Sequence, residues 1–155
     1  MRKQSAGILL FRRRDAVLEV LLAHPGGPYW KNKDSGAWTV PKGEYLDSED
    51  ALAAAKRELE EEIGLKADGQ FIPLGEIKQP GGKIVKAWAF ESDFDVSQLK
   101  SNLFSLELPP RSGKFKEFPE IDKAQWFSPS EALEKILHAQ REFITRLTVY
   151  LEAER

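Results

Sequence analysis

The chain has no cysteine. Disulfides, thiolate metal sites and a cysteine nucleophile are therefore excluded, and a cytoplasmic location is the expectation. Histidine is scarce: His24 and His138 stand alone, and each reads as structural rather than catalytic. Long hydrophobic runs are also missing. Residues 6–11 are apolar but are cut off by Arg12-Arg13-Arg14. With Met1-Arg2-Lys3 ahead of it, this run is too short for a membrane span and poor as a signal peptide. The arginines themselves read as a solvated strand end. No sign of charge dominates: 23 Lys and Arg oppose 25 Asp and Glu, a net charge of -2. With charges so nearly balanced, no strongly basic surface argues for a nucleic-acid partner, and such a partner is not expected. There are no repeats, linkers or low-complexity tracts. The 155 residues suit one domain, 1–155, with a proper core. Nothing in the sequence fixes an oligomeric state.

What the chain does have is concentrated in residues 43–65, GEYLDSEDALAAAKRELEEEIGL. The pattern is G-x5-E-x7-R-E-L-x-E-E-x-G-L, with Gly43, Glu49, Arg57, Glu58, Glu61, Glu62 and Gly64 at fixed spacings. At ordinary residue frequencies a chance match at one start point is on the order of one in a billion. Asp47 or Ser48 can cap a helix here, with Glu49 and Asp50 in the first turn where the dipole favours acids. Gly64 suits the residue just past the helix end. Leu52, Ala55, Leu59 and Ile63 make one apolar stripe. At about 100° per residue, Glu58, Glu61 and Glu62 fall on a narrow arc beside that stripe, while Glu60 points elsewhere into solvent.

Carboxylates about 6 Å apart at an effective dielectric of about 20 repel by roughly 3 kcal/mol per pair. A bound cation removes that cost. Hard oxygen ligands favour Mg²⁺ or Mn²⁺, which join carboxylates to substrate phosphates.

The pattern resembles the Nudix box, with every signature position filled over 23 of the 155 residues. The resemblance implies an α/β protein, an α/β/α sandwich with a mixed β-sheet. It implies a divalent-metal-dependent hydrolase of a nucleoside diphosphate linked to another group, hence a small-molecule nucleotide substrate and no membrane. It further implies Glu58, Glu61 and Glu62 as metal ligands, with Glu58 also positioning or deprotonating water. Arg57 would orient Glu58 through a charge-assisted hydrogen bond. Glu49 either binds metal or only stabilises the helix start. Two other readings come with the resemblance: a non-catalytic nucleotide-binding regulator, and an RNA 5′-end pyrophosphohydrolase. The first commonly lacks the box acids, and all are present here.

The order of elements elsewhere is strands, helix, strands, helix. Residues 5–13 and 17–24 read as a hairpin turning near Asp15. A Gly/Pro-rich loop spans 25–36, and 38–40 reads as a short strand. Residues 71–78 and 83–94 form a second hairpin around Pro80-Gly81-Gly82. Strands are expected at 103–108 and 124–127. Pro129 begins a helix capped by Ser128, and 139–154 is a C-terminal helix.

Several residues outside the box are substrate candidates. Pro41-Lys42-Gly43 reads as a turn, where Lys42 contacts a phosphate or is simply solvated. The first long loop mixes Tyr29, Trp30, Lys31 and Lys33, and Trp30 either lines a nucleoside pocket or covers the sheet edge. Residues 109–120, PPRSGKFKEFPE, read as a long loop able to close over a site. There Arg111 and Lys114 suit phosphates, Phe115 or Phe118 suits a base, and Glu120, ahead of Glu117, is the candidate acid outside the box. Trp38-x-x-Pro-Lys-Gly followed by Glu49-Asp50 resembles the diadenosine polyphosphate hydrolases. Pro80 sits where the ADP-ribose branch carries a proline, although it also suits an ordinary hairpin turn.

Overall fold

The computed structural model describes residues 3–154. Met1 and Arg2, part of the segment weighed as a signal peptide, and Arg155 lie outside the described residues. The chain runs β1 (Gln4–Arg14), β2 (Val17–Pro25), β3 (Lys42–Glu44), α1 (Ala51–Ile63), β4 (Ile72–Lys78), β5 (Ile84–Glu91), β6 (Leu103–Glu107), β7 (Phe115–Pro119), β8 (Ile121–Phe127), α2 (Pro129–Lys135) and α3 (Arg141–Ala153). The main sheet has the order β4-β5-β1-β2-β8, with β3 also on β1. β1 and β5 are parallel and the other pairs antiparallel, so the sheet is mixed. Asp15 and Ala16 take positive φ, as a tight hairpin turn requires.

Strand alternation sorts the core into two layers. Leu9, Phe11, Val20 and Leu22 face α2 and α3 through Ala132, Phe143, Ile144 and Leu147. Ala6, Ile8, Leu10 and Leu21 face α1 through Ala54, Ala55, Leu59 and Ile63. Helices thus cover both faces of the sheet. Leu59 and Ile63 are fully buried, which stabilises the helix seat by about 1.5–3 kcal/mol each.

Strand β1 is shared in a way that shapes the site. Near its start, Ser5, Ala6 and Gly7 pair with β3. Near its end, residues from Phe11 to Arg14 pair with β2. Between them the segment leading into β3 wedges in: Thr39 bridges Ala23 of β2, and Ile8 N–H donates to the Pro41 carbonyl at 3.1 Å. Gly7 permits this approach, because a Cβ there would lie 2.5 Å from the Pro41 oxygen and 2.7 Å from Lys42 Cβ.

Several expectations change. Lys42 and Gly43 belong to a strand, not a turn, because β1 offers them a ladder. Residues 38–40 make isolated bridges rather than a strand. The helix cap is Asp50, whose side chain accepts from Ala53 N–H at 3.0 Å. Asp47 and Ser48 lie in a turn closed by Glu49 N–H on the Leu46 carbonyl, so Glu49 precedes the helix and the first turn holds no acid. Gly64 ends the helix at φ 85°, as its spacing predicts. The 109–120 segment is not a loop throughout: Phe115–Pro119 forms β7, paired with β6 in a separate two-stranded sheet. The C-terminal helix starts at Arg141 after a 3₁₀ turn, His138–Gln140. Arg12 is not solvated, because it stacks 4.2 Å over Trp126 and pairs with Glu19 and Asp93.

Candidate active site

Helix α1 and strand β3 build a site between them. The Gly64 cap and the buried Leu59–Ile63 side fix the rotation of α1. That rotation leaves Glu60 exposed, Glu58 and Glu61 half-buried, and Glu62 buried at 6% exposure. Glu62 is therefore part of the buried stripe rather than beside it, and Leu52 is only half-buried. The Oε2 atom of Glu62 has no hydrogen-bond partner. A buried polar atom without a partner costs roughly 1–3 kcal/mol, more when charged, so its retention asks for a ligand.

Gly43 touches the site directly. A Cβ there would fall inside the Glu58 carboxylate. Glycine lets the strand backbone lie against that carboxylate, while the Lys42 backbone N–H lies close to Glu62. Arg57 gathers the outer acids. Its Nη1 donates to Glu58 at 2.9 Å and reaches Glu61 at 3.5 Å, and its Nη2 donates to Glu49 at 3.2 Å. Glu49 also accepts from Leu46 N–H, so Arg57 ties α1 to the turn before it.

Glu120 joins the cluster through backbone bonds. Asn102 N–H donates to the Glu61 carbonyl at 2.9 Å, and Glu120 N–H donates to the Asn102 carbonyl at 2.8 Å. Its neighbour Gly26 donates to the Glu120 carbonyl at 2.9 Å. The base of the β6–β7 hairpin is thus stitched to the end of α1.

The crowding shows in the titration of these groups. Burial, then the charge of Glu58, pushes Glu62 up to about 8 against the pull of Lys42. Burial and then Glu61 raise Glu58, opposed by Arg57. Burial and then Glu61 raise Glu120. Burial, then Lys83, lowers Lys42 to about 8. For Arg57, burial pulls down but Glu58, Glu49 and Glu61 more than compensate, so it is held above its usual range.

These features fit a divalent cation: hard oxygen donors, one of them buried and unpartnered, in a cluster whose own charges oppose ionisation. Among the described residues, no three acidic or histidine side chains form a ready-made cage. Arg57 instead holds Glu49, Glu58 and Glu61 on itself.

The remaining sequence candidates are spread out. Arg111 and Lys114 sit at the exposed tip of the hairpin, where Arg111 N–H donates to Glu107. Five residue steps of extended strand at about 3.3 Å each run from Phe115 to Glu120, so the tip lies roughly 17 Å along the strand from that acid. Trp30 packs against the α2–α3 layer, edge-on to Tyr29, with Lys33 over both rings. Phe118 is half-buried beside Phe104, and Phe115 and Glu117 are exposed. Trp38 is core, 2% exposed, donating to Asp34. His24 is buried between Asp122 and the Lys33 carbonyl, a structural clasp.

Gly7 is a residue of the site that sequence reasoning missed. A lone glycine inside an apolar strand was its signal, since it marks close backbone approach.

The fold and the acid-lined helix define a Nudix domain. The family model described as NUDIX domain matches residues 1–147, and the chain belongs to that family. It is an enzyme of the Nudix pyrophosphohydrolase type. The fold is similar to that of an Ap4A hydrolase from C. elegans in a binary complex, at 22% identity and TM-score 0.66, covering 97% of this chain and 98% of that one. It is also similar to a mutT/nudix family protein from Listeria innocua, at 23% identity and TM-score 0.65, over 98% and 95% of the two chains. The NUDIX domain of Shewanella oneidensis NrtR complexed with ADP ribose matches at 15% identity and TM-score 0.65, over 97% and 89%. No curated protein matches this chain. Among the described residues, no helix is long and apolar enough to cross a membrane.

Proposed function

We propose that the protein hydrolyses the pyrophosphate linkage of a nucleoside diphosphate joined to a further group, with Glu58, Glu61 and Glu62 holding Mg²⁺ or Mn²⁺. The observation that carries this reading is the unpartnered, buried Glu62 oxygen beside the raised carboxyls of Glu58 and Glu120. A bound divalent cation would neutralise phosphate charge and polarise the scissile linkage.

The chain's own groups do the rest. Glu58, braced by Arg57, positions a water molecule and takes its proton. The water oxygen bonds to phosphorus, the bridging P–O bond breaks, and the leaving phosphate keeps the electron pair. Glu120, its pKa raised by burial and then by Glu61, is the second acid of the cluster. Lys42, lowered toward neutral pH and next to Glu62, supplies a short-range cation for phosphate. Arg111 and Lys114 serve the far end of an extended substrate, and Trp30 is the candidate platform for a nucleoside. The 155 residues act as one unit, and the cysteine-free composition fits the cytoplasm.

The likeness to an Ap4A hydrolase and to a domain complexed with ADP ribose supports a nucleotide substrate and sets the choice of compounds. The test is a hydrolysis screen with Mg²⁺ and with Mn²⁺ over diadenosine polyphosphates, ADP-ribose, nucleoside triphosphates and sugar nucleotides. Release of a phosphorylated product from at least one class is expected. Tight binding of a nucleotide without turnover under any condition would replace the enzyme reading with a regulatory one.

A further inference from the structure

Gln140 is fully buried at the start of α3, where a polar side chain usually caps the helix, yet it makes no cap bond. Its side chain turns inward instead. Val40 N–H donates to Gln140 Oε1 at 2.9 Å, which fixes the orientation of the amide, since a backbone N–H can only donate. Gln140 Nε2 then has two protons to place. One goes to Thr39 Oγ1 at 3.0 Å and the other to Gln79 Oε1 at 3.1 Å. The Thr39 hydroxyl proton goes to the Val40 carbonyl at 3.0 Å. Every group in this buried network is satisfied in one proton arrangement, the condition under which such networks rigidify a structure.

The network grips the wedge between β1 and β2 three residues before Gly43. Downstream, Pro41 is fixed by Ile8 N–H, and Gly43 lies against the Glu58 carboxylate. Gln79 begins the β4–β5 turn, where its N–H donates to the Lys83 carbonyl at 2.8 Å. One side chain therefore connects α3, the β4–β5 turn and the segment that forms one wall of the acid cluster.

We propose that Gln140 is a positioning residue: by holding Val40 and Thr39 it sets the placement of Lys42 and Gly43 against Glu62 and Glu58. Its kinetic consequence rests on the hydrolase reading above; its structural consequence does not. Gln140→Met keeps the volume and removes the amide. Ile144→Val, in the same helix and the same core layer as Val40, is a control that loosens the core without removing any hydrogen bond of the network.

Two measurements decide the matter. Amide exchange and backbone NMR of the metal-free proteins should show faster exchange at Val40 and shifted Lys42 and Gly43 resonances in Gln140→Met, and neither change in Ile144→Val. In kinetics, Gln140→Met should lower kcat by about tenfold or more with KM nearly unchanged, since misplacement of about 1 Å at a distance can cost a hundredfold. Should Gln140→Met fail to fold, Thr39→Val attacks the same link and Thr39→Ser should restore it. Unchanged Val40–Gly43 signals in a folded Gln140→Met, or equal kcat losses in Gln140→Met and Ile144→Val, would overturn the proposal. If the native protein hydrolyses nothing, the hydrolase reading fails while the NMR comparison still judges Gln140.

Discussion

A side chain at Gly43 would begin inside the carboxylate of Glu58. The backbone of β3 and the central acid of α1 are in direct contact, and glycine is what permits it. Gly43 has ordinary extended backbone, so Gly43→Ala should fold, shifting stability by no more than about 1 kcal/mol. The Glu58 carboxylate must then move from its present place. Turnover should drop by at least about tenfold, far more than that small change in stability accounts for. Wild-type turnover in Gly43→Ala would break the link between this contact and catalysis.

Charge removal at single acids should separate their roles. Glu58→Gln and Glu62→Gln keep shape and should each lower turnover by at least about a hundredfold. Glu120→Gln should lower kcat with little change in KM. Glu60→Gln, on the exposed face, should do almost nothing. Steady-state kinetics of the four variants checks this, and matching losses at Glu58 and Glu60 would contradict the helical-face assignment.

Metal removal should abolish hydrolysis. EDTA-treated protein is expected to be inactive and to recover on adding Mg²⁺ or Mn²⁺. Undiminished turnover in excess EDTA would remove Glu58, Glu61 and Glu62 as ligands.

The metal-free protein should lose stability as pH rises. Glu62 is raised from its ordinary 4.5 to about 8, so the folded state holds its proton longer than the unfolded chain does. Its favourable contribution is complete below 4.5 and is lost as pH climbs through about 8. Lys42, lowered from 10.5 to about 8, acts in the next window and in the opposite sense, with stability returning as pH rises toward 10.5. Melting curves without metal should therefore fall between pH 5 and 8, as read from these two groups. Glu62→Gln should flatten that fall, and divalent metal should raise Tm more at the alkaline end. A Tm independent of pH in the metal-free wild type would refute this account.

The hairpin tip gives a prediction that depends on substrate length. Arg111 and Lys114 lie beyond β7, roughly 17 Å along the strand from Glu120. Arg111→Ala or Lys114→Ala should raise KM for a dinucleoside polyphosphate and leave it within about twofold for ADP-ribose or a nucleoside triphosphate. Equal KM values on all three would take the tip out of the substrate site.

The legible part of this protein was the part written at short range. The box helix, its Gly64 end and the exposure of Glu60 follow from spacing alone, and the hairpin at Asp15 and the Ser128 cap were equally local. The Asp50 cap was obscured because Asp47, Ser48 and Asp50 are all good caps, and the choice falls to the Leu46–Glu49 turn. Strand β7 was hidden by charge and proline: Phe115-Lys116-Glu117-Phe118 becomes a strand only against the register of β6. Gln140 carries no local signal, since its partners lie 61 to 101 positions away. Glu120 was nameable as an acid, but its link to Glu61 runs through Asn102, whose role depends on backbone alone.

The separate sheet of β6 and β7 makes the protein modular in an unexpected place. The hairpin joins the catalytic body at its base, through Asn102, Glu120 and Gly26, and forms no ladder with the main sheet. Lengthening or shortening it by a residue pair at the tip leaves the registers that seat Glu58 and Glu62 untouched. The tip is therefore an exchangeable cassette: a graft there would change what reaches the far end of a substrate while leaving the acid cluster beneath it in place.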